Sequence, residues 1–395
     1  MKIGFLISNI HTKSQGNGGH YYSLTTTAKV LSKHFNIVII NIGTDESLAL
    51  NKSEGLSIVN VLSSKNKLNT LGLFKSTKEV LKKEKVDVIH AFDDLAYLFG
   101  RVTSFFLHKP IVLTKCGGPN PKFYYPKSKN LITYSEENFR YFKSKKKYKK
   151  SNIYLIPNRV TYSKQDEERI GELNSTYRLG GYDYVFLRIA RIGNAYKKTI
   201  KQLLNLHEKL AKDFRCCTLI IGSIEDETVY KDLKKNQQEH VHFITENKYT
   251  IKANELIDVA DVVLGTGRSF MEAAIQKKLM LATIANSDYP ILVNEDNFKQ
   301  LSGFNFSPRA IINDSNEQKT LSAIQNVLSA KNQYKEFVQL NIKMFNSSFK
   351  VDEVVGKYID IYKNIEFKYR VNLLDTIKNV LFLVRVYNQN KKAAK

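Results

Sequence analysis

Three cysteines, seven prolines and no run of about eighteen uncharged apolar residues mark what this 395-residue chain lacks or has little of. Three thiols (Cys116, Cys216 and Cys217) cannot staple a chain of this length. The adjacent Cys216 and Cys217 would point to opposite faces of a strand, so the expected compartment is reducing. Without a long apolar run there is no candidate spanning helix, and the apolar stretch from Lys2 to Ser8 is too short for a signal peptide and reads as a first β-strand. The expected location is the cytoplasm, with any membrane contact peripheral. No Asp-x-Asp occurs anywhere, which argues against a nucleotide diphosphate held through a metal ion. Zinc-finger spacing, an Arg-rich arm and the stacking aromatics of an RNA-binding sheet are missing too, so nucleic acid is not an expected partner.

What is present is a globular composition, 43% hydrophobic and 25% charged, with 19 glycines. At roughly 150 residues per domain the length leaves room for two α/β domains. The net charge of +23 is uneven: residues 1–158 carry 25 basic and 10 acidic side chains, and the remainder carries 36 and 28. The densest basic run is Lys143, Lys145, Lys146, Lys147, Lys149 and Lys150. Its plain reading is a solvated face; its sharper one is adhesion to an anionic membrane surface, worth about 1 kcal/mol per basic residue and weakened by salt.

Apolar, β-branched runs recur between helical stretches at Lys2 to Ser8, Ile37 to Ile42, Leu56 to Leu62, Val86 to His90, Ile111 to Thr114, Leu131 to Tyr134 and Ile153 to Ile156. Such runs predict a parallel sheet covered on both faces. Pro157-Asn158 and the polar stretch Thr161 to Ser175 then break the pattern, and a domain boundary is placed there. A second series follows at Tyr184 to Ala190, Cys217 to Ile221, Val241 to Ile244, Val262 to Leu264 and Leu279 to Thr283. The expected fold is α/β: two Rossmann-like, doubly wound parallel-sheet domains, 1–158 and 159–350, with ligands at the carboxyl ends of the strands. Residues 351–395 are expected to form two helices, Val351 to Glu366 and Tyr369 to about Tyr387, the second docked on the core or lying on a membrane surface.

The most specific stretch runs from Asp261 through Gly265-Thr266-Gly267-Arg268-Ser269 to Glu272, a strand entering a glycine turn and then a helix. That arrangement aims backbone N–H groups at whatever lies beyond the strand and suits phosphate. A competing explanation is a capping box of Ser269 with Glu272, which needs no ligand. Its companion is the strand end at Arg188 to Arg191, with Lys198 opening the next helix; Arg191 and Lys198 are two cations for a diphosphate leaving group. In the first domain, Gly16, Gly18 and Gly19 follow the first strand but lack the spacing of a dinucleotide fingerprint. Cys116 reads as a passive cysteine, His90 as either a base or a structural histidine, and His240 with His242 as too few for a metal site.

In order and spacing these motifs resemble the family 4 glycosyltransferases, which have the GT-B fold of two facing Rossmann-like domains. The resemblance rests on Gly16 to Gly19, Asp87-Val-Ile-His90, Ile132 to Glu136, Ile156-Pro157-Asn158, the Arg191/Lys198 pair and the helix carrying Glu272-Ala273. It implies a retaining, metal-independent transfer of a sugar from a nucleotide-sugar donor, bound by the second domain. The acceptor, a glycan or polyprenyl-linked molecule of cell-surface polysaccharide synthesis, would sit in the first domain, and no cofactor is implied. Carried over, Arg191 and Lys198 become the diphosphate clamp, with Glu272 accepting from the ribose hydroxyls. Gly265, Thr266, Gly267, Arg268 and Ser269 cradle phosphate and sugar, Gly18 and Gly19 approach the donor from the first domain, and His90 is the fallback base. Leu264 stands where the family often has a sugar-contacting Glu, and Cys116 stands near the family's usual His. The alternative is a noncatalytic nucleotide-sugar or polyanion-binding protein on the same fold.

Overall fold

The computed structural model describes residues 1–10, 16–51, 53, 55–64, 68–157, 159–235, 237–313, 316–367, 375, 377–379, 381 and 382. The chain divides into two compact units, Met1–Arg159 with Val351–Lys395, and Val160–Lys350.

The first unit holds seven strands: β1 Lys2–Asn9, β2 Asn36–Gly43, β3 Ser57–Leu62, β4 Val88–Ala91, β5 Ile111–Lys115, β6 Asn130–Thr133 and β7 Asn152–Leu155. All pair in parallel, in the order β3-β2-β1-β4-β5-β6-β7. The six strands of the second unit are β8 Tyr184–Ile189, β9 Cys216–Ile221, β10 Val241–Ile244, β11 Val262–Gly265, β12 Leu279–Ala282 and β13 Ile291–Leu292. Their order is β10-β9-β8-β11-β12-β13, parallel except for the antiparallel edge pair β12 and β13. Helices join most successive strands and cover both faces of each sheet, which is why the strands read as continuous hydrophobic runs. Cys216 and Cys217 lie in the cores on opposite faces of their sheet, and burial pushes both thiols up to about 12.

The strand order reverses between β1 and β4 in one sheet and between β8 and β11 in the other, and the crevices at those points are where open α/β sheets bind ligands. Helix starts take two forms. Asp93, Ser135 and Asp166 cap their helices through side chains that accept from Ala96, Asn138 and Arg169 backbone N–H groups. The helices Gly19–Leu31, Asn194–Leu210 and Arg268–Ile275 follow β1, β8 and β11 and open on Gly18, Gly193 and Gly267, with no side-chain cap.

Just beyond the break between the units, Glu167–Tyr177 forms a helix of the second unit, held by Ile170 and Leu173 in its core. One expectation needs correction. The helix expected from Val351 to Glu366 is a short turn at Val351–Val354 followed by a helix at Val355–Asn364, which buries Tyr358, Ile361 and Tyr362 against the first sheet. Each such aromatic contributes roughly 2–3 kcal/mol.

Most of the helix expected from Tyr369 to Tyr387 lies outside the described residues. Those that are described tie the segment to the first unit: Asp375 pairs with Arg101 at 2.5 Å, and Phe382 stacks on Tyr124. Ile377 and Leu381 remain exposed. Among the described residues no helix is long and apolar enough to cross a membrane. In the lysine run, Lys147 is not a freely solvated cation, since its ammonium donates to the Tyr125 carbonyl at 2.6 Å and lies 3.6 Å from Asp375.

Candidate functional site

His90 is the clearest correction at the site. It lies in β4, one residue before the strand's end, and is fully buried; Nδ1 lies 2.7 Å from the Tyr362 hydroxyl and Nε2 2.7 Å from the Thr114 hydroxyl. Phe5, Phe92 and Tyr358 surround the ring. A base with both nitrogens engaged and no solvent path cannot take a proton from a substrate, so His90 is a core residue.

Burial pushes this imidazole from its ordinary 6.5 down to about 3. The folded chain therefore keeps it neutral while an unfolded chain protonates it, and in that window stability falls as pH drops. Relative to His90→Gln, the wild-type chain should lose about 1.4 kcal/mol of stability per pH unit below pH 6.5. Urea denaturation at pH 7, 6 and 5 measures this; a gap independent of pH would mean that the ring titrates normally.

The remaining first-unit candidates sit on ordinary backbone. Gly18 is the N-cap of its helix at φ −116°, and Gly19 is its first residue. Cys116 donates to the Phe92 carbonyl, and burial pushes its thiol up to about 12, so it is a protonated, passive cysteine. In the second unit, His240 bonds to the Tyr182 hydroxyl, and the His242 ring lies 4.4 Å from that of Tyr177, tilted by 36°.

In the second unit the chain gathers its candidates at the carboxyl ends of β8 and β11. After β11 the backbone turns at Gly267, whose φ of 53° with ψ of −122° favours glycine, and its N–H donates to the Asn305 carbonyl at 2.8 Å. Gly265 allows close approach: a Cβ there would lie 2.3 Å from Phe270 Cα. The competing capping box does not form, because the helix starts at Arg268, one residue before Ser269. Ser269 Oγ turns back to accept from the Thr266 N–H at 3.1 Å and lies 3.0 Å from the Thr266 carbonyl. The Glu272 carboxylate instead accepts from Arg268 Nε at 2.7 Å, an ion pair one turn along the helix. Ser269 therefore sets the loop, and Glu272 sits buried beside it with a charged partner.

Across the switch point, Arg191 pairs with Glu225 at 2.7 Å and lies 5.6 Å from the centre of the Tyr196 ring. Lys198 donates to the Ala285 carbonyl beyond β12, and Gln202, one turn further on, holds the Ile284 and Ser287 carbonyls at 3.0 and 2.8 Å. A residue not assigned to the site from sequence joins the two halves. Arg188 donates to the Leu264 carbonyl on β11, to Thr266 in the loop and to Thr199 on the helix after β8. Its signal was there to be read: Val185-Phe186-Leu187-Arg188-Ile189-Ala190 puts a guanidinium inside an otherwise apolar strand, where a charge is costly without a purpose. The assembled region offers two helix starts without side-chain caps, two half-exposed or exposed cations and the Thr266 hydroxyl, a set of donors matched to an anion.

No family model and no curated protein matches the sequence. Solved structures do match over nearly the whole chain. A glycosyltransferase from Rickettsia africae is 16% identical with a TM-score of 0.63, over 92% of this chain and 97% of its own. Anabaena HepE in complex with UDP-glucose is 14% identical with a TM-score of 0.66, over 92% of this chain and all of its own. The UDP-GlcNAc 2-epimerase from Neisseria meningitidis, bound to UDP-GlcNAc, is 12% identical with a TM-score of 0.54, over 92% of this chain and all of its own. At such identities the likeness shows the fold, GT-B with its two Rossmann-like units.

Proposed function

We propose that the protein is a retaining, metal-independent glycosyltransferase of the family 4 type, moving a sugar from a nucleotide-sugar donor to a glycan or polyprenyl-linked acceptor of a cell-surface polysaccharide. The observation that carries this reading is the concentration of anion-binding groups where β8 and β11 end: Arg191, Lys198, Thr266, Ser269 and two helix starts opened by glycine. A departing nucleotide diphosphate gains negative charge as the glycosidic bond breaks. Preorganised cations and N–H groups stabilise that charge without a metal, each good contact contributing about 3 kcal/mol. Glu272 accepts the ribose hydroxyls in this reading, with Arg268 fixing its rotamer. Gly265 and Gly267 let the backbone approach the phosphates, Gly18 and Gly19 approach the donor from the first unit, and that unit takes the acceptor. The protein works in the cytoplasm at the inner face of the membrane, where the +23 charge and the exposed lysines favour an anionic surface.

HepE and the Rickettsia protein, one bound to UDP-glucose and the other named a glycosyltransferase, support this choice of reaction on the shared fold. The epimerase defines what the experiment must separate. Thermal melts with a panel of nucleoside diphosphates and their sugars, without metal, should give one selective shift. A ligand at a hundred times its Kd contributes about 2.7 kcal/mol. Release of nucleoside diphosphate that depends on an added acceptor supports transfer. Conversion of the sugar without acceptor would mean an epimerase, and binding without turnover a noncatalytic protein.

A further inference from the structure

Arg188 is fully buried, and among the described residues its hydrogen-bond partners are one carbonyl and two hydroxyls, none a carboxylate. Nη1 lies 3.1 Å from Leu264 O; Nη2 lies 3.0 Å from both Thr199 Oγ1 and Thr266 Oγ1; Nε has no partner. The guanidinium also lies 5.8 Å from the centre of the Tyr196 ring that Arg191 approaches from its own position.

A buried guanidinium is ordinarily compensated by an acid, because dipoles solvate a charge without neutralising it. Burial lowers the pKa of Arg188 to about 10, so it stays charged at neutral pH. In so poorly polarisable a setting its field extends to the loop on the other side of Thr266. Thr266 Oγ1 accepts from Arg188, which leaves the hydroxyl's own proton to donate and makes it a stronger donor. Thr199, in turn, donates to the Tyr196 carbonyl at 2.8 Å, which fixes the first turn of the helix that carries Lys198.

We propose that Arg188 is a positioning residue that tunes this cradle for a diphosphate: it supplies a buried positive charge that an anion bound at the loop offsets, and its bonds to Thr199 and Thr266 hold that charge behind the loop. It does not touch the ligand; it acts through its field. The inference rests on the reading of the second unit as the donor-binding one, but inorganic pyrophosphate tests it without a nucleotide.

The experiment is calorimetric titration of the full chain with pyrophosphate and, separately, with UDP, for wild type, Arg188→Met and Arg188→Lys. Arg188→Met should weaken pyrophosphate binding at least tenfold, and Arg188→Lys, which keeps the charge but not the fork of hydrogen bonds, should stay within threefold of wild type. Pyrophosphate affinity in Arg188→Met within threefold of wild type overturns the inference. So does an Arg188→Lys variant as weak as Arg188→Met, since the loss would then follow the hydrogen bonds rather than the charge. Should Arg188→Met not fold, a tenfold loss in Arg188→Lys decides against the inference and near-wild-type binding decides for it. Wild type that binds pyrophosphate in an Arg188-dependent way but ignores UDP keeps the inference and overturns the nucleotide-sugar reading. UDP and pyrophosphate binding both indifferent to Arg188 does the reverse, and wild type that binds neither overturns both.

Discussion

Arg191→Ala and Lys198→Ala will each slow sugar transfer by about a hundredfold, close to 3 kcal/mol of transition-state stabilisation, and will leave the fold intact. The two halves of that expectation have separate grounds. Arg191 is one-third exposed and its partner Glu225 equally so, an ion pair of the kind that contributes about 0–1 kcal/mol to stability. Lys198 is exposed and donates to a loop carbonyl. Neither side chain carries packing that the core would miss. Their effect should therefore fall on kcat, because both cations meet charge that grows only as the bond to the diphosphate breaks. A rise in KM alone would mean that they bind donor and transition state equally, and unchanged kinetics would remove them from the site. Glu225→Gln is the useful companion, since it leaves Arg191 in place and removes only the carboxylate that holds it; it should change turnover far less than Arg191→Ala.

Gly265→Ala is expected to be a strongly damaging single methyl group in the second unit. The added Cβ would meet Phe270 at 2.3 Å from Cα and at 2.7 Å from both its N and Cβ, so backbone rather than a flexible side chain would have to move. Phe270 cannot yield easily, because its ring stacks on Phe306 with centroids 3.6 Å apart, deep in the core. Overpacking of this kind costs about 3 kcal/mol. For a unit of this size that lowers the melting temperature by roughly 6–12 °C. The same displacement tilts the start of the helix Arg268–Ile275 and with it the Thr266–Ser269 loop, so any shift produced by the matching nucleotide should shrink as well. Scanning calorimetry with and without that nucleotide reads both effects. Gly171→Ala is the control: nothing lies within 4 Å of its Cβ position in the helix Glu167–Tyr177, and the change should be neutral or stabilise by up to about 1 kcal/mol. Equal melting of the two variants would refute the packing argument.

Most of the sheet architecture was legible because buried parallel strands must be apolar on both faces, and runs such as Val38-Ile-Ile-Asn-Ile42 or Val262-Val-Leu264 announce themselves. β13 was not, since two residues at an antiparallel edge carry no periodicity. The helix Glu167–Tyr177 hid in a polar stretch because only Ile170 and Leu173 face its core. At the site, sequence singled out the glycine turn but left a Ser269 cap open beside it, because the pattern does not tell that Gly267, at a backbone conformation that favours glycine, is itself the N-cap. His90 was ambiguous for a tertiary reason: its partner Tyr362 is 272 residues away, and no local pattern connects the two. Arg188 was passed over because a strand-end arginine three residues later looked like the functional one. Its importance depends on β11 and the helix after β8 converging on it, a meeting that only the three-dimensional fold reveals.

The first unit is assembled from two stretches of chain separated by the whole of the second, residues 160–350. During synthesis from the amino end, the second unit emerges in one piece and can fold as soon as its last helix, Lys331–Ser348, is available. The first unit, begun earlier, must wait with its sheet face uncovered until Tyr358, Ile361 and Tyr362 arrive. The amino-terminal unit thus matures last, and a nascent chain halted near residue 350 would expose the apolar floor around His90 to chaperones while its younger neighbour already stood complete.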